Sequence, residues 1–149
     1  MNSSFDVNQL FHDAKIKKND TVLIHGDAGV AAQIFTTDQS NKIKSLILKI
    51  INYFDDEGTI VVPTFSYSFT KNEIFNKKTT KSAVGLFSET FRKFPNVKRS
   101  NHPIFSFAAV GKYKYEIANS RIDDCFGKKT VFDFLHQHDA KIISLGCPF

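Results

Sequence analysis

Apolar residues follow two different spacings along the chain, and the change between them predicts which segments are helices and which are strands. Apolar positions three and four residues apart predict amphipathic helices, and short β-branched and apolar runs predict buried strands. The helices predicted in this way are 6–16, 43–54, 84–94, 113–119 and 131–136. The predicted strands are 21–25, 59–62, 104–110 and 141–145.

The order of these segments predicts an α/β fold. Strand 21–25, helix 43–54 and strand 59–62 form a βαβ unit, which predicts two parallel strands. We therefore expect a single α/β domain over residues 1–149, with a mostly parallel central sheet flanked by helices. The sequence stops at Phe149, shortly after the last strand, so we expect the sheet to be incomplete at its C-terminal side.

Capping residues and a long polar stretch mark the boundaries of these elements. Ser40 or Asn41 is expected to cap the start of helix 43–54, and Gly58 is expected to close its end. The polar stretch 66–82 follows the second strand. Loops of this length inside a compact domain are usually functional or mobile.

Charge narrows the class of ligand. The 149 residues include 20 Lys and Arg against 15 Asp and Glu, a formal net charge of +5, and 42% of them are hydrophobic. This is the composition of a globular protein, and its basic excess favours anionic ligands. A nucleic-acid-binding module is a rival interpretation, but the 16 phenylalanines fall mostly at core-type helical spacing and the motifs of such modules are absent.

Isolated cysteines and histidines argue against disulfides and metal sites. Cys125 and Cys147 have no partner at a ligand or disulfide-ladder spacing, which favours a reducing compartment. His136 and His138 are two residues apart and would point in different directions on a helix, so no metal is expected. With no signal-peptide pattern and no run of about 20 apolar residues, we expect a cytoplasmic protein without membrane contact.

Three motifs contain candidate functional residues, the first two of them at the ends of predicted strands, and each has a functional and a purely structural interpretation. Residues 25–29 form a glycine-containing turn that either approaches an anion through backbone N–H groups or only reverses the chain. Residues 63–67 alternate hydroxyl groups and aromatic rings, which suits either a cleft for a sugar or cofactor or an ordinary polar loop. Residues 98–103 contain Arg99, whose guanidinium fork suits a phosphate, but a solvated basic loop is the alternative.

Taken in order, these motifs resemble the aminoglycoside 3-N-acetyltransferase family, also called the antibiotic N-acetyltransferase fold. Residues 20–25 (DTVLIH) resemble its first strand, and residues 58–65 (GTIVVPTF) its "GTLVMPTF" segment. Residues 84–92 (VGLFSETFR) are similar to its "MGxxxExFR" helix. The most specific match is RSNHP at 99–103 followed by Ser106, which matches "RSxHPxxS". The chain resembles the amino-terminal portion of that family.

The resemblance implies transfer of an acetyl group from acetyl-CoA to an amine of an amino sugar, within a ternary complex. The cofactor-binding residues that it implies are His25, Gly26, Asp27, Ala28, Gly29, Arg99 and Ser100. Those implied for the cleft are Thr64, Phe65, His102 and Ser106. The expected partner is a small-molecule amino sugar and not nucleic acid, and association into a homo-oligomer is left open.

Two departures from the family pattern affect these expectations. The family has "HSSL" or similar where this chain has His25 followed by GDAG, so the serine hydroxyls are missing and Asp27 adds a negative charge. The family's general base lies in a "TxxHxxE" segment after a strand similar to 141–146, and this sequence ends before it. The catalytic residues are therefore unknown. The rival to an active enzyme is a truncated, inactive relative that at most binds CoA.

Overall fold

The computed structural model describes residues 5–33 and 41–146. The α-helices in this part of the chain are α1 (Val7–Asp13), α2 (Lys42–Phe54), α3 (Leu86–Phe91), α4 (Lys114–Ala118) and α5 (Val131–Gln137). The strands are β1 (Thr21–Gly26), β2 (Thr59–Pro63), β3 (Lys98–Arg99), β4 (Phe107–Gly111) and β5 (Lys141–Leu145). Short 3₁₀ helices cover Ala28–Gln33 and Phe69–Lys71.

The five strands form one sheet in the order β3-β4-β2-β1-β5, and the predicted α/β fold with a helix-flanked sheet is confirmed. β1 pairs in parallel with β2, as the βαβ pattern predicts, and also with β5. β4 pairs antiparallel with both β2 and β3, so four of the five described strands run in one direction and the sheet is mostly parallel, with β4 as the exception. The connection 100–106 between β3 and β4 is too short for the crossover that parallel neighbours need.

Helices cover both faces of the sheet. Consecutive residues of a strand point to opposite faces, and Ile60 and Val62 accordingly belong to the core formed with α1, α2 and α3. Val61, between them, belongs to the second core, which contains Ile117 of α4 and Leu135 of α5. None of the helices in the described ranges is long and apolar enough to cross a membrane.

The predicted boundaries of helices and strands agree best with the structure where the apolar pattern is long. α2 ends at Phe54 as expected, but its cap is Asp55 in the left-handed conformation, with Gly58 further along the chain. Asn41 makes no side-chain capping hydrogen bond, and Ser40 lies outside the described residues. The helix predicted over 84–94 covers only Leu86–Phe91, and the strand predicted over 104–110 starts at Phe107. β3 was missed because two residues carry no alternation pattern.

The structure describes one of the two cysteines and both of the histidines that were considered for disulfide and metal chemistry. Cys125 is a free, half-buried thiol, and Cys147 lies outside the described residues. Within residues 5–33 and 41–146, no group of three or more His, Cys, Asp or Glu is placed to hold a metal ion.

Replacing Phe11 tests the core beneath α1 and α2. Phe11 is 0% exposed, and its ring centroid lies 4.8 Å from that of Tyr53 and 5.5 Å from that of Phe54. We expect Phe11→Ala to lower the free energy of unfolding by about 3–5 kcal/mol, since the cavity left behind adds to the lost burial. Urea denaturation measures this change. The matched control Phe69→Ala, at a ring 71% exposed, should change it by less than about 0.5 kcal/mol.

Candidate functional site

The three sequence motifs come together at one edge of the sheet. β1, β2 and β5 are parallel, and β3 runs in the same direction because β2 and β3 are both antiparallel to β4. The carboxyl ends of these four strands therefore share an edge, which is where ligands of open α/β sheets collect. The turn after β1, the loop after β2 and the loop after β3 all start there.

The turn after β1 is stabilised by its own aspartate. The backbone N–H of Asp27 donates to Leu145 O at 2.8 Å, and Asp27 Oδ1 accepts the N–H of Gly29 at 2.6 Å. The carboxylate of Asp27 thus takes a backbone donor that was expected to face a ligand anion. Gly26 is required by packing, because a Cβ there would lie 2.8 Å from the Phe87 ring. His25, Asp27 and Gly29 remain exposed, and Ala28 is half-buried.

The side chain of Arg99 lies at the centre of a buried polar cluster, which we call the Arg99 clasp. Its Nε donates to Thr64 Oγ1 at 3.1 Å and to Ser106 Oγ at 3.2 Å. Its Nη2 donates to Thr64 O at 2.6 Å, and its Nη1 donates to the carbonyls of Lys77 and Thr80. Thr64 and Ser106 are both 0% exposed and also hydrogen-bond to each other. The clasp joins the ends of β2, β3 and β4 to the loop 66–82.

Ser100 and His102 are also engaged within the protein. Ser100 Oγ accepts the N–H of Phe107 at 2.9 Å. His102 Nδ1 accepts the N–H groups of Ile104 and Phe105 at 3.1 and 2.9 Å, so its basic nitrogen is occupied. Burial lowers the pKa of His102 below its usual value, although a hydrogen bond to the backbone of Asp124 and the charge of Asp124 act in the opposite direction. Both side chains hold loop 100–106 in place.

These contacts change the interpretation of the motif at 98–103. Arg99, Ser100 and His102 are 5%, 0% and 6% exposed, so the solvated-loop alternative is wrong. The parallel donors expected to hold a phosphate are committed to protein oxygens, because a buried guanidinium needs its N–H groups satisfied. The hydrogen bonds of these side chains, together with those of Thr64 and Ser106, hold the loops at the strand ends in place.

Phe65 is the predicted cleft residue that keeps an exposed surface. It is half-buried, and its ring lies edge-on to Phe105 and Phe107 at centroid distances of 5.1 Å. Tyr67, also half-buried, lies 6.3 Å from the Phe65 ring. Together these rings form an aromatic surface beside the clasp.

A basic cavity that Arg99 also lines was not predicted from the sequence. Its volume is about 500 Å³, and Val97 and Ala118 contribute apolar surface to its wall. The basic residues that line it are Lys77, Lys78, Arg92, Lys93, Lys98 and Arg99. The signal was present in the sequence as three adjacent basic pairs, which lie far enough apart along the chain to look unrelated.

A sequence model of the aminoglycoside 3-N-acetyltransferase family matches residues 36–149, which is more than half of the chain. The chain belongs to this family. Aminoglycoside 3-N-acetyltransferases use acetyl-CoA, and the resemblance found in the ordered motifs is confirmed.

Individual relatives agree with this assignment. The chain is 27% identical to the SPbeta prophage-derived aminoglycoside N(3')-acetyltransferase-like protein YokD of Bacillus subtilis (strain 168), over 90% of the chain and 56% of that protein. It is 34% identical to aminoglycoside N(3)-acetyltransferase IV of Salmonella sp, over 60% of the chain and 34% of that protein. The chain thus spans 56% and 34% of the lengths of these two curated relatives.

Solved structures of aminoglycoside 3-N-acetyltransferases have the same fold. The crystal structure of YokD from Bacillus subtilis matches with a TM-score of 0.81 and 25% identity, over 97% of this chain and 64% of that chain. A structure of AAC-IIIb in a binary complex with CoASH matches with a TM-score of 0.78 and 16% identity, over 95% of this chain and 58% of that chain. The described sheet therefore corresponds to part of the fold of these proteins.

The Arg99 clasp predicts a loss of stability when its guanidinium is removed. We expect Arg99→Ala to lower the free energy of unfolding by roughly 3 kcal/mol or more, because several buried acceptors lose their donor. Arg99→Lys should recover only part of this loss, since one ammonium does not reproduce the planar fork. Denaturant titration measures both. As a control, Arg121→Ala, at an exposed position, should leave stability nearly unchanged. If Arg99→Ala left stability unchanged but weakened acetyl-CoA binding, the result would favour the expectation that Arg99 binds a phosphate of the donor.

Glu89 predicts a pH dependence of stability. Burial alone would raise the pKa of Glu89, but hydrogen bonds from Arg92, Lys93 and the N–H of Ser82 lower it to about 2. A carboxyl whose pKa is depressed on folding stabilises the protein above its unfolded pKa, near 4.5, and this stabilisation is lost as the pH falls toward 2.

The measurement compares Glu89→Gln with the wild type. We expect the variant to be less stable at pH 7 and the difference between the two to shrink as the pH falls from 4.5 toward 2. Denaturant titrations at a series of pH values give the two curves. Glu73→Gln, at an exposed position, is the matched control and should follow the wild type. Parallel wild-type and Glu89→Gln curves over this range would contradict the assignment.

Proposed function

We propose that this protein is an N-acetyltransferase that moves an acetyl group from acetyl-CoA to an amino group of an amino sugar. The observation that carries the proposal is the family match over residues 36–149. The geometry supports it because the carboxyl ends of four strands share one edge of the sheet, where ligands of open α/β sheets collect. Because the chain spans 56% of the YokD protein, the activity is a proposal and does not follow from the match alone.

The proposed reaction uses the thioester of the donor. Acetyl-CoA supplies an activated thioester, whose carbonyl carbon accepts the amine nitrogen as the carbon–sulfur bond breaks and the thiol is released. The resemblance implies that the turn at His25, Asp27 and Gly29, which is exposed, would contact the pantetheine arm, and the half-buried Phe65 ring lies after the neighbouring strand. These groups would bind and orient the donor at the sheet edge.

The attacking amine has to lose a proton, and His102 is not placed to take it. Its Nδ1 already accepts two backbone N–H groups, and burial lowers its pKa. We therefore assign His102 to positioning. A general base contributes typically about 10²–10⁴-fold to such a step, and the resemblance assigns that role to a His and Glu segment outside the motifs of this chain.

The net charge bears on which amino sugar is accepted. Gentamicin and apramycin, seen in complexes of the relative AAC(3)-IVa, are polycations. A formal charge of +5 and a cavity lined by basic side chains disfavour a polycation and favour an anionic acceptor. We therefore propose a nucleotide-linked or polysaccharide-precursor amino sugar as the acceptor class.

Thiol release tests the proposed activity. With acetyl-CoA present, we expect the protein to release CoA thiol continuously with a UDP-linked amino sugar and more slowly with gentamicin or apramycin. A thiol-reactive dye measures the rate, and samples without amine give the background. Acetyl-CoA binding without any amine-dependent thiol release would refute the activity and leave the inactive-relative interpretation.

The variant Asp27→Asn tests the role of the turn in the same assay. It keeps an oxygen for the N–H of Gly29 but removes a negative charge from the edge where the anionic donor binds. We expect the KM for acetyl-CoA to fall a few-fold with little change in kcat, because a repulsion common to ground and transition states is removed. A change confined to kcat would argue against this placement of the donor.

A further inference from the structure

The basic cavity beside the Arg99 clasp has the size and charge of an anion site. Its volume of about 500 Å³ lies in the range of small-molecule pockets, about 300–1,000 Å³. Six of its eight lining residues are Lys or Arg, and the other two are Val97 and Ala118. Among the described residues, none that lines its wall carries a carboxylate.

Nearby acidic groups neutralise only part of this charge. Glu89 pairs with Arg92 and Lys93, with nitrogen–oxygen distances of 2.7 Å in both pairs. Within the described ranges, Lys77, Lys78 and Lys98 form no ion pair with a carboxylate. The cavity therefore keeps an excess of ammonium groups that an anionic ligand would neutralise.

The segment that carries Lys77 and Lys78 is held in a defined conformation. The side chain of Asn76 accepts the N–H of Lys78 at 2.9 Å, and the N–H of Asn76 donates to Thr80 Oγ1 at 2.8 Å. Two arginines also hold the backbone of this segment. Arg92 Nη1 donates to Lys78 O at 2.9 Å. Arg99 Nη1 donates to Lys77 O and Thr80 O. The two lysines are exposed side chains on an ordered turn, which lowers the entropy cost of binding.

The electrostatic state of Arg99 agrees with a crowded basic site. Burial and repulsion from Arg92 lower the pKa of Arg99 to about 10, and the charge of Glu89 opposes both. An anion in the cavity would relieve the repulsion between the two guanidinium groups.

We propose that this cavity binds the phosphate groups of a nucleotide-type ligand, with Lys77, Lys78, Lys93 and Lys98 as the cationic partners. One guanidinium, that of Arg99, both lines the cavity and hydrogen-bonds Thr64 at the end of β2, so the cavity adjoins the proposed acetyl-transfer edge. Two sources of the phosphates are consistent with this position: the 3′-phosphate and diphosphate of the acetyl donor, or the diphosphate of a nucleotide-linked acceptor. Assigning the phosphates to the acetyl donor or to the acceptor rests on the proposed function. The proposal that the cavity binds phosphate does not depend on that function.

The test compares two probes on the same protein. Adenosine 3′,5′-bisphosphate represents the donor and UDP represents the acceptor, and isothermal titration calorimetry measures the affinity of each. We expect Lys77→Gln/Lys78→Gln to weaken one of the probes by roughly tenfold, because two exposed positive charges are removed. The backbone carbonyls that Arg92 and Arg99 use are kept in this variant, so the clasp stays intact. Binding to the wild type should weaken as salt is raised.

The matched control is Lys17→Gln/Lys18→Gln. It removes the same charge from two adjacent exposed lysines just before β1, at the opposite end of the strand from the proposed site. Weakening of the bisphosphate alone identifies the donor as the source, and weakening of UDP alone identifies the acceptor. The proposal is overturned if neither probe binds, or if both double variants weaken binding equally.

Failure of this proposal is distinguishable from failure of the proposed function. Loss of phosphate binding in Lys77→Gln/Lys78→Gln, in a protein that releases no thiol, supports the cavity and refutes acetyl transfer. Thiol release that continues with unchanged KM values in the same variant, together with unchanged probe binding, supports acetyl transfer and refutes the cavity.

Discussion

The hydrogen bonds of one buried guanidinium, that of Arg99, hold together the sheet edge on which a ligand site has to be built. They reach Thr64 after β2, Ser106 before β4 and the carbonyl oxygens of the 77–80 segment. A buried arginine costs free energy unless its donors are satisfied, so these segments have to take up their positions together. The relative positions of these segments therefore depend on the side chain of Arg99, whose hydrogen bonds are made to other parts of the protein.

The same arrangement concentrates positive charge next to the strand ends. Arg92 and Arg99 donate hydrogen bonds to the backbone of residues 77–80. The side chains of Lys77 and Lys78 are therefore not needed to hold this backbone. Glu89 offsets part of the charge and is itself held ionised, with a pKa of about 2, by the cations around it. The arginines thus hold the backbone of this edge, and the neighbouring lysines supply most of the positive charge to which we propose that an anion binds.

The chain shares the fold of its family, but the residues of its turn after β1 differ from those usual in the family. The sheet matches that of YokD with a TM-score of 0.81, so the strand ends are placed as in this relative. The turn nevertheless carries Asp27, whose carboxylate accepts the N–H of Gly29 and adds negative charge where serines are usual in the family. A shared fold places a site, but the side chains at that site decide which charge it favours.

The sequence alone determined the elements whose signal is local. Apolar spacing predicted α2 to its last residue, the strand pattern predicted β5 as Lys141–Leu145, and short connections predicted the parallel pairing of β1 and β2. The ordered motifs predicted the family. These features depend on residues close together along the chain, so one sequence is enough to find them.

Only the tertiary structure decided the antiparallel direction of β4, the burial of Arg99 and His102, and the grouping of three basic pairs around one cavity. The acceptors of Arg99 lie between 7 and 35 residues away along the chain. An arginine in a polar segment looks the same in the sequence whether its donors face solvent, a ligand or distant carbonyl groups. Its role is set by which oxygens the fold brings within hydrogen-bonding distance.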